Sequence, residues 1–448
     1  MTLVGALPLL LEAIGLASAA YVAWCTHPAL LLCAGLTLSI FSGEWANFGL
    51  PELVAPDRML IAAAIATVIL RAPAVRDSPS ITSKPIHWLL AGTVAYLLGS
   101  ALATGTFFEK DVMLRATDRV GAVPFLLFAL APVMFASRRH RTLLLQCLVG
   151  VGLYLSVTAL LETTGPKALV LPHFISNPAV GIHTDRARGP FLEAVGNGTA
   201  IYICLVASVI AAMTWTVRWQ RRLAIATTVL CAAGLLFTLT RSVWVGALLA
   251  TVVTMLASRQ LRRWLVPVTA SAVLITAGAL AVVPGLAEHA NERRSQEATV
   301  WDRLNLDRAA LNMAEARPLF GFGWGSFKTE GVNYFEQADT YPLSATDLPV
   351  HSAYFDHLAE LGLVGTSLWV LSMALAVGLA ISRRGPPELE PWRFGLLAIA
   401  IMYAVVAAFV YPYMFGTIVL WLWAGIVYAG SPAPRPAAIT IRRREQPA

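Results

Sequence analysis

The chain has 448 residues, of which 57% are hydrophobic and 13% are charged, and its formal net charge at pH 7 is +7. A soluble domain carries about 25% charged residues, so the composition excludes a soluble protein and predicts a multi-pass membrane protein. The positive charge does not indicate nucleic-acid binding, because the basic residues cluster at the ends of apolar runs, where they orient membrane helices.

Apolar runs of about 20 residues can each cross a bilayer as a helix, and their number predicts an all-α fold with about twelve transmembrane helices. Residues 7–42 hold two short spans, or one span and a re-entrant piece, broken near Thr26-His27-Pro28. The remaining spans are predicted at 58–72, 86–104, 119–136, 142–162, 194–216, 222–239, 242–257, 263–283, 352–381, 393–410 and 412–430.

Basic turns between these spans predict the side that each loop faces. The turns are 71–84, with Arg71, Arg76 and Lys84, then 137–141, 218–222, 258–263 and 383–384, together with a tail that contains Arg442-Arg-Arg444. Basic turns are retained in the cytoplasm. Segments 105–118, 163–193, 240–241 and 284–350 should then all face the opposite side.

The predicted organisation has four parts. A transmembrane domain over 1–283 includes a short outward segment near 163–193, and a long outward loop follows over 284–350. C-terminal spans occupy 351–430, and a basic cytoplasmic tail occupies 431–448.

The long loop carries ten of the 26 acidic residues of the chain, which indicates that it lies in water. A capped helix is predicted from about Thr299 to Pro318. The glycines that follow are spaced Gly321-Phe-Gly323-Trp-Gly325, but no strand precedes them, so a dinucleotide site is not indicated. A backbone turn or a close approach to a ligand is the better interpretation.

Three positively charged residues are candidates for anion binding. Arg186 and Arg188 lie beside the turn at Gly189-Pro190, and Arg241 stands between two apolar runs with almost no loop. Arginine binds phosphate groups through two parallel hydrogen bonds. The alternative is that these side chains extend to lipid headgroups.

His351 opens the span that follows the long loop, at the boundary with water. A single boundary histidine is often structural. A position on the same side as the arginines favours a chemical role, because neutral histidine is a suitable base near pH 7.

These motifs, in this order, resemble the O-antigen ligase and O-antigen polymerase superfamily. The resemblance rests on Arg188-Gly189-Pro-Phe191, Thr240-Arg241-Ser242, the stretch from Arg303 to Phe327, and His351-Ser352-Ala-Tyr354 with Glu360-Leu-Gly362-Leu-Val-Gly365. It covers about residues 180–370. Ser352 and Thr240 depart from the usual Asn after the histidine and the usual Ser before the arginine, but both remain small hydrogen-bonding residues.

The resemblance implies a GT-C-like glycosyltransferase of the bacterial inner membrane, with its active site facing the periplasm. The implied donor is an undecaprenyl-diphosphate-linked glycan, and the implied acceptor is a sugar hydroxyl of the lipid A core. In this scheme His351 is the base, Arg188 and Arg241 bind the diphosphate, and Arg186 assists them. No cofactor or metal is required, and a single displacement inverts the anomeric centre.

Two alternatives remain open at this stage. An O-antigen polymerase or a protein O-oligosaccharyltransferase would differ in acceptor and share the donor chemistry. A transporter or flippase would instead show ionisable residues near span centres and paired broken helices.

Overall fold

The computed structural model describes residues 21–51, 55–71, 83–182, 184–270, 274, 278, 297–336, 350–383 and 385–429. Within these ranges the chain is helical and contains no strand, which confirms the predicted all-α class. The first predicted span lies largely outside the described residues, as do about half of 263–283, the loop segments 284–296 and 337–349, and the basic tail. The count of twelve spans and the domain boundaries therefore stay predictions.

The principal helices are labelled here in chain order. They are α1 Pro28–Leu38, α2 Pro56–Arg71, α3 Pro85–Thr104, α4 Lys110–Leu114, α5 Ala122–Met134, α6 Arg138–Thr164, α7 Ala194–Thr214, α8 Arg218–Phe237, α9 Arg241–Ala257, α10 Glu297–Ala316, α11 Phe327–Glu330, α12 Ala353–Ser382, α13 Glu390–Ala407 and α14 Met414–Ala429. Seven stretches of the described chain are long and apolar enough to cross a membrane, and three shorter apolar helices accompany them.

Much of segment 105–118, predicted to face the side opposite the basic turns, is helical. It contains α4 and most of a π-helix over Arg115–Arg119, and together with α5 these form an apolar stretch over Lys110–Met134. Asp118 is buried there, and its Oδ2 lies 2.6 Å from Arg58 Nε. A π-helix is uncommon and frequently marks a functional site.

The centre of the bundle is formed by α7 and α14, whose residues are buried almost without interruption. A helix that is apolar on every side belongs in the interior of a bundle. Small residues allow close packing here, as at Gly425, where a Cβ atom would overlap the Phe128 carbonyl of α5.

One end of the bundle collects basic turns, as the charge pattern predicted. Arg141 Nη2 lies 3.6 Å from Glu388 Oε2, which joins the start of α6 to the turn before α13. Lys84 and Arg383 both lie over the ring of Tyr428, at 4.6 and 4.7 Å from its centroid. Turns that are distant in sequence therefore meet at this end.

The break predicted near Thr26-His27-Pro28 is present. His27 caps α1, accepting the Ala29 N–H at Nδ1, and Pro28 occupies the first helical position. The His27 ring stacks on His140 at 3.7 Å, so α1 begins at the basic end.

Helix α12 is interrupted at Gly362, where φ is 64° and ψ is −169°. The glycine-rich segment over residues 318–325 fills the break and completes the backbone hydrogen bonds. The N–H groups of Phe322 and Gly323 donate to the carbonyls of Ala359 and Glu360 (3.1 and 2.7 Å), and those of Leu363 and Val364 donate to Pro318 and Leu319 (2.8 and 3.1 Å). The glycines approach a helix backbone closely, which is one of the two interpretations that the sequence favoured.

Candidate functional site

At the end of the bundle opposite the basic turns, charged residues from four separate segments converge. Arg186 and Glu193 come from the loop before α7, Arg241 begins α9, Arg303 lies on α10, and Arg119 ends the π-helix. These five residues are called the arginine cluster below. Electrostatic interactions join Arg186 to Arg303, Glu193 and Arg241, and join Glu193 to Arg303 and Arg119.

Burial and neighbouring charges perturb the ionisation of Arg186 and Glu193. Burial, reinforced by the positive charges of Arg303 and Arg241, lowers the pKa of Arg186 to about 10. Burial raises the pKa of Glu193 to about 7, although Arg303, Arg186 and Arg119 oppose the shift. Arg186, Arg303 and Arg119 are partly buried, whereas Arg241 is exposed. Several positive charges lie close together, an arrangement that attracts an anion.

Three atoms of the cluster are buried without a hydrogen-bond partner among the described residues. They are Arg186 Nε, Arg303 Nε and Glu193 Oε2. A buried polar atom left unpaired costs about 1 to 3 kcal/mol. Such atoms are rare in native proteins, and their concentration in one place indicates a ligand site.

Arg188 lies outside this cluster, although only one residue separates it from Arg186. Its side chain is 2% exposed. Nη1 donates to the Val180 carbonyl, and Nη2 donates to the carbonyls of Ile175 and Asn177, at 2.8 and 2.6 Å. This geometry favours a role in holding the loop, and a direct role in diphosphate binding stays a prediction.

Two turns next to the cluster have an unusual backbone. Leu192, just before Glu193, has φ 51°, and Leu239, two residues before Arg241, has φ 47°. A bulky side chain in this left-handed region is strained, and such strain concentrates at functional sites. The tight turn predicted at Thr240-Arg241 is confirmed, since α8 ends at Phe237 and α9 begins at Arg241.

His351 lies directly before α12, in a segment that is tied to α10. The side chain of Ser352 accepts the Phe355 N–H and caps the helix. The Ser352 N–H donates to the carboxylate of Asp307, one helical turn after Arg303. The predicted base and one cluster arginine therefore stand on two joined elements.

His357, six residues further along, is in a different environment. Its side chain is 0% exposed, and its ring packs against Trp369 at 4.5 Å and Tyr411 at 5.7 Å. Its neighbours Asp356 and Glu360 are also buried, and Arg115 Nη1 lies 3.2 Å from Asp356 Oδ2 and 3.8 Å from Glu360 Oε2. The ionisable residues in the first turns of α12 are therefore paired or packed inside the protein.

A comparison with known families bears on the motifs. The family model described as O-antigen ligase matches residues 226–370, about a third of the chain. This segment is similar to that family. The match confirms the superfamily resemblance, and no curated protein matches the chain.

The matched segment includes Arg241, Arg303 and His351, whereas Arg186 and Glu193 lie before it. In the structure Arg186 lies near Arg241, and Arg303, Glu193 and Arg119 join them. Arg303 belongs to the motifs that carry the resemblance, so the sequence held a signal for it. No local pattern distinguishes Glu193 or Arg119, because only packing places them beside the other residues.

Proposed function

We propose that the protein is an O-antigen ligase that transfers a glycan from undecaprenyl diphosphate to a sugar hydroxyl of the lipid A core, at the periplasmic face of the bacterial inner membrane. The observation that carries this proposal is the arginine cluster, which is assembled from separate segments beside the ligase family motifs. Its buried unpaired N–H donors fit the oxygen acceptors of a diphosphate.

Arg186, Arg241 and Arg303 are assigned to the diphosphate. As the glycan leaves, negative charge grows on the diphosphate oxygen, and fixed guanidinium groups in a site of low dielectric constant stabilise that charge. Arg188 is assigned a supporting role, because its bonds to three carbonyls fix the loop that carries Arg186.

His351 is assigned as the base. The acceptor hydroxyl attacks the anomeric carbon, the bond from that carbon to the diphosphate oxygen breaks with its electron pair on the diphosphate, and the hydroxyl proton passes to His351. One such displacement inverts the anomeric centre. The diphosphate is already a good leaving group, so the scheme requires charge neutralisation and no metal or other cofactor.

The break in α12 is relevant to the transporter alternative, because transporters contain broken helices and buried ionisable residues. In this protein the glycine-rich segment over residues 318–325 fills the break. Glu360 accepts the N–H groups of Gly325 and Phe327, at 2.8 and 3.0 Å, and Arg115 pairs with Asp356. These groups are occupied by internal contacts, which favours an enzyme with a fixed site.

The direct test uses purified protein reconstituted in lipid, supplied with a lipid-linked glycan and lipid A core. Transfer of the glycan to the core supports a ligase, whereas extension of the donor alone indicates a polymerase. Transfer to a protein acceptor indicates the oligosaccharyltransferase. Absence of all three products, with folded protein, contradicts the proposal.

The same assay tests the base. We expect His351→Ala to slow transfer by about 100- to 10,000-fold, the usual contribution of a general base, while donor binding is retained. His357→Phe is the matched control, because its aromatic ring preserves packing against Trp369, and it should keep most of the activity. An active His351→Ala protein would show that another group takes the proton.

A further inference from the structure

The arginine cluster contains one carboxylate, that of Glu193, which a site for diphosphate alone does not explain. Negative charge beside the phosphates repels them, and each of the three nearby arginines would bind an anion more strongly without it. Glu193 is placed there by the fold, since it directly precedes the central helix α7 and follows the left-handed residue Leu192.

Neither a counter-ion role nor the hydrogen bond that the carboxylate accepts from the Gly196 N–H accounts for Oε2 of Glu193. Arg186, Arg303 and Arg119 are close enough to oppose the rise in its pKa. None of them hydrogen bonds to Oε2, which is buried and has no partner among the described residues. Arg115 and Arg58, by contrast, pair with carboxylates at 3.2 and 2.6 Å.

The unpaired atoms of the cluster have opposite requirements. Arg186 Nε and Arg303 Nε need hydrogen-bond acceptors, whereas Glu193 Oε2 needs a donor. A diphosphate offers acceptors only. A diphosphate with an adjacent sugar hydroxyl offers acceptors and a donor within one ligand.

We propose that Glu193 binds a sugar hydroxyl at the reacting end of the substrate and makes the cluster select glycan-bearing lipid diphosphates over bare lipid diphosphate. This inference rests on the proposed function and adds a residue that sets specificity. Because bare lipid diphosphate is the product of the transfer, the same carboxylate promotes its release. The hydroxyl belongs either to the donor sugar or to the acceptor sugar.

The test compares Glu193→Gln with the wild type in lipid nanodiscs. Dissociation constants are measured for a glycan-linked undecaprenyl diphosphate and for undecaprenyl diphosphate without sugar. At a pH above the raised pKa of Glu193, about 7, its side chain is ionised. We expect the variant to bind the bare diphosphate about tenfold more tightly there, since a repulsive charge is removed. Its transfer rate should fall at least tenfold.

Two arms identify the source of the hydroxyl. If it belongs to the donor, the variant loses the preference for the glycan-linked lipid over the bare lipid. If it belongs to the acceptor, both lipids bind more tightly and the KM for lipid A core rises. Unchanged affinities for both lipids together with an unchanged acceptor KM would overturn the inference.

Glu162→Gln is the matched control, because that carboxylate already accepts the Gly189 N–H at 2.9 Å, and the ratio of the two lipid affinities should not change.

Should Glu193→Gln fail to fold, Glu193→Asp keeps the charge on a shorter side chain. It should keep the weak binding of bare diphosphate and lose transfer, and unchanged transfer would contradict the inference. Wild-type protein that binds neither lipid refutes the proposed function as well, whereas binding of both lipids without any effect at Glu193 refutes this inference alone.

Discussion

Arg186 and Arg188 are alike in sequence context, and their surroundings separate their roles. The guanidinium of Arg188 is enclosed by carbonyl groups of its own loop. Arg186 interacts mainly with other charged side chains, and its Nε has no hydrogen-bond partner among the described residues. A buried donor that the protein leaves unpaired suits a ligand, whereas one that is fully bonded suits a structural role.

This contrast predicts opposite effects for two alanine variants. Arg188→Ala should lower the free energy of unfolding by about 3 kcal/mol, because it leaves buried carbonyls without donors. Arg186→Ala should leave stability nearly unchanged and weaken donor binding by about 1.5 to 3 kcal/mol, the usual strength of a hydrogen bond to a charged group. Thermal unfolding and donor binding of both purified variants check this. The reverse pattern, with a stable Arg188→Ala protein that has lost donor binding, would restore Arg188 as a diphosphate ligand.

The element that most affects the site is the broken helix α12 together with the glycine segment that fills the break. Its first part begins beside His351, and α10 carries Arg303. The segment that follows α10 hydrogen bonds to the backbone around Gly362 and to the Glu360 carboxylate. These bonds attach the end of α10 to the first part of α12. The break therefore helps to position the predicted base relative to a cluster arginine. Residue 362 must be glycine, because the combination of φ 64° and ψ −169° is accessible essentially to glycine alone.

Gly362→Ala should consequently destabilise the protein, by about 1 to 3 kcal/mol for the backbone conformation and by more for the overlap with Leu319. Gly378→Ala, later in the same helix, is the control. A Cβ atom there meets nothing within 4 Å, and alanine favours a helix over glycine by about 0.5 to 1 kcal/mol. The measurement is the thermal unfolding midpoint of each variant. Equal midpoints would show that α12 is not broken at residue 362.

At the scale of the whole molecule, the two ends of the bundle have different chemistry. Basic turns meet at one end, through contacts such as Arg141 with Glu388. The arginine cluster, Glu193 and the segment that begins at His351 lie at the other. The positive-inside rule predicts that the first end faces the cytoplasm. The cluster would then face the periplasm, as the proposed function requires.

Reporter fusions along the chain test this orientation. Fusions at residues 140 and 220 and at the C-terminus should give cytoplasmic signals, and a fusion at residue 320 should give a periplasmic signal. A cytoplasmic signal at residue 320 would place the cluster on the wrong side of the membrane for the proposed reaction.

The sequence by itself determined the helical class, the approximate bounds of the described spans, and which loops share an end of the bundle. These properties follow from local hydropathy and charge, since a bilayer imposes one length and one orientation rule on every span. Ten of the predicted spans, from 58–72 to 412–430, correspond to helices of the structure. The helix predicted in the long loop, ending before Pro318, corresponds to α10.

Only the tertiary structure decided which charged side chains face a ligand site and which are internal. Arg115 and Asp356 are 241 residues apart in sequence and form an ion pair, which hydropathy along the chain does not reveal. Arg186 and Arg188 look equivalent until carbonyls from residues 175–180 enclose one of them. Glu193 is a candidate site residue only because packing brings Arg303 and Arg119, from other segments, close to it. In each case the surroundings of the side chain are set by the free-energy cost of removing a charge from water. That cost depends on packing between parts of the chain that are far apart in sequence.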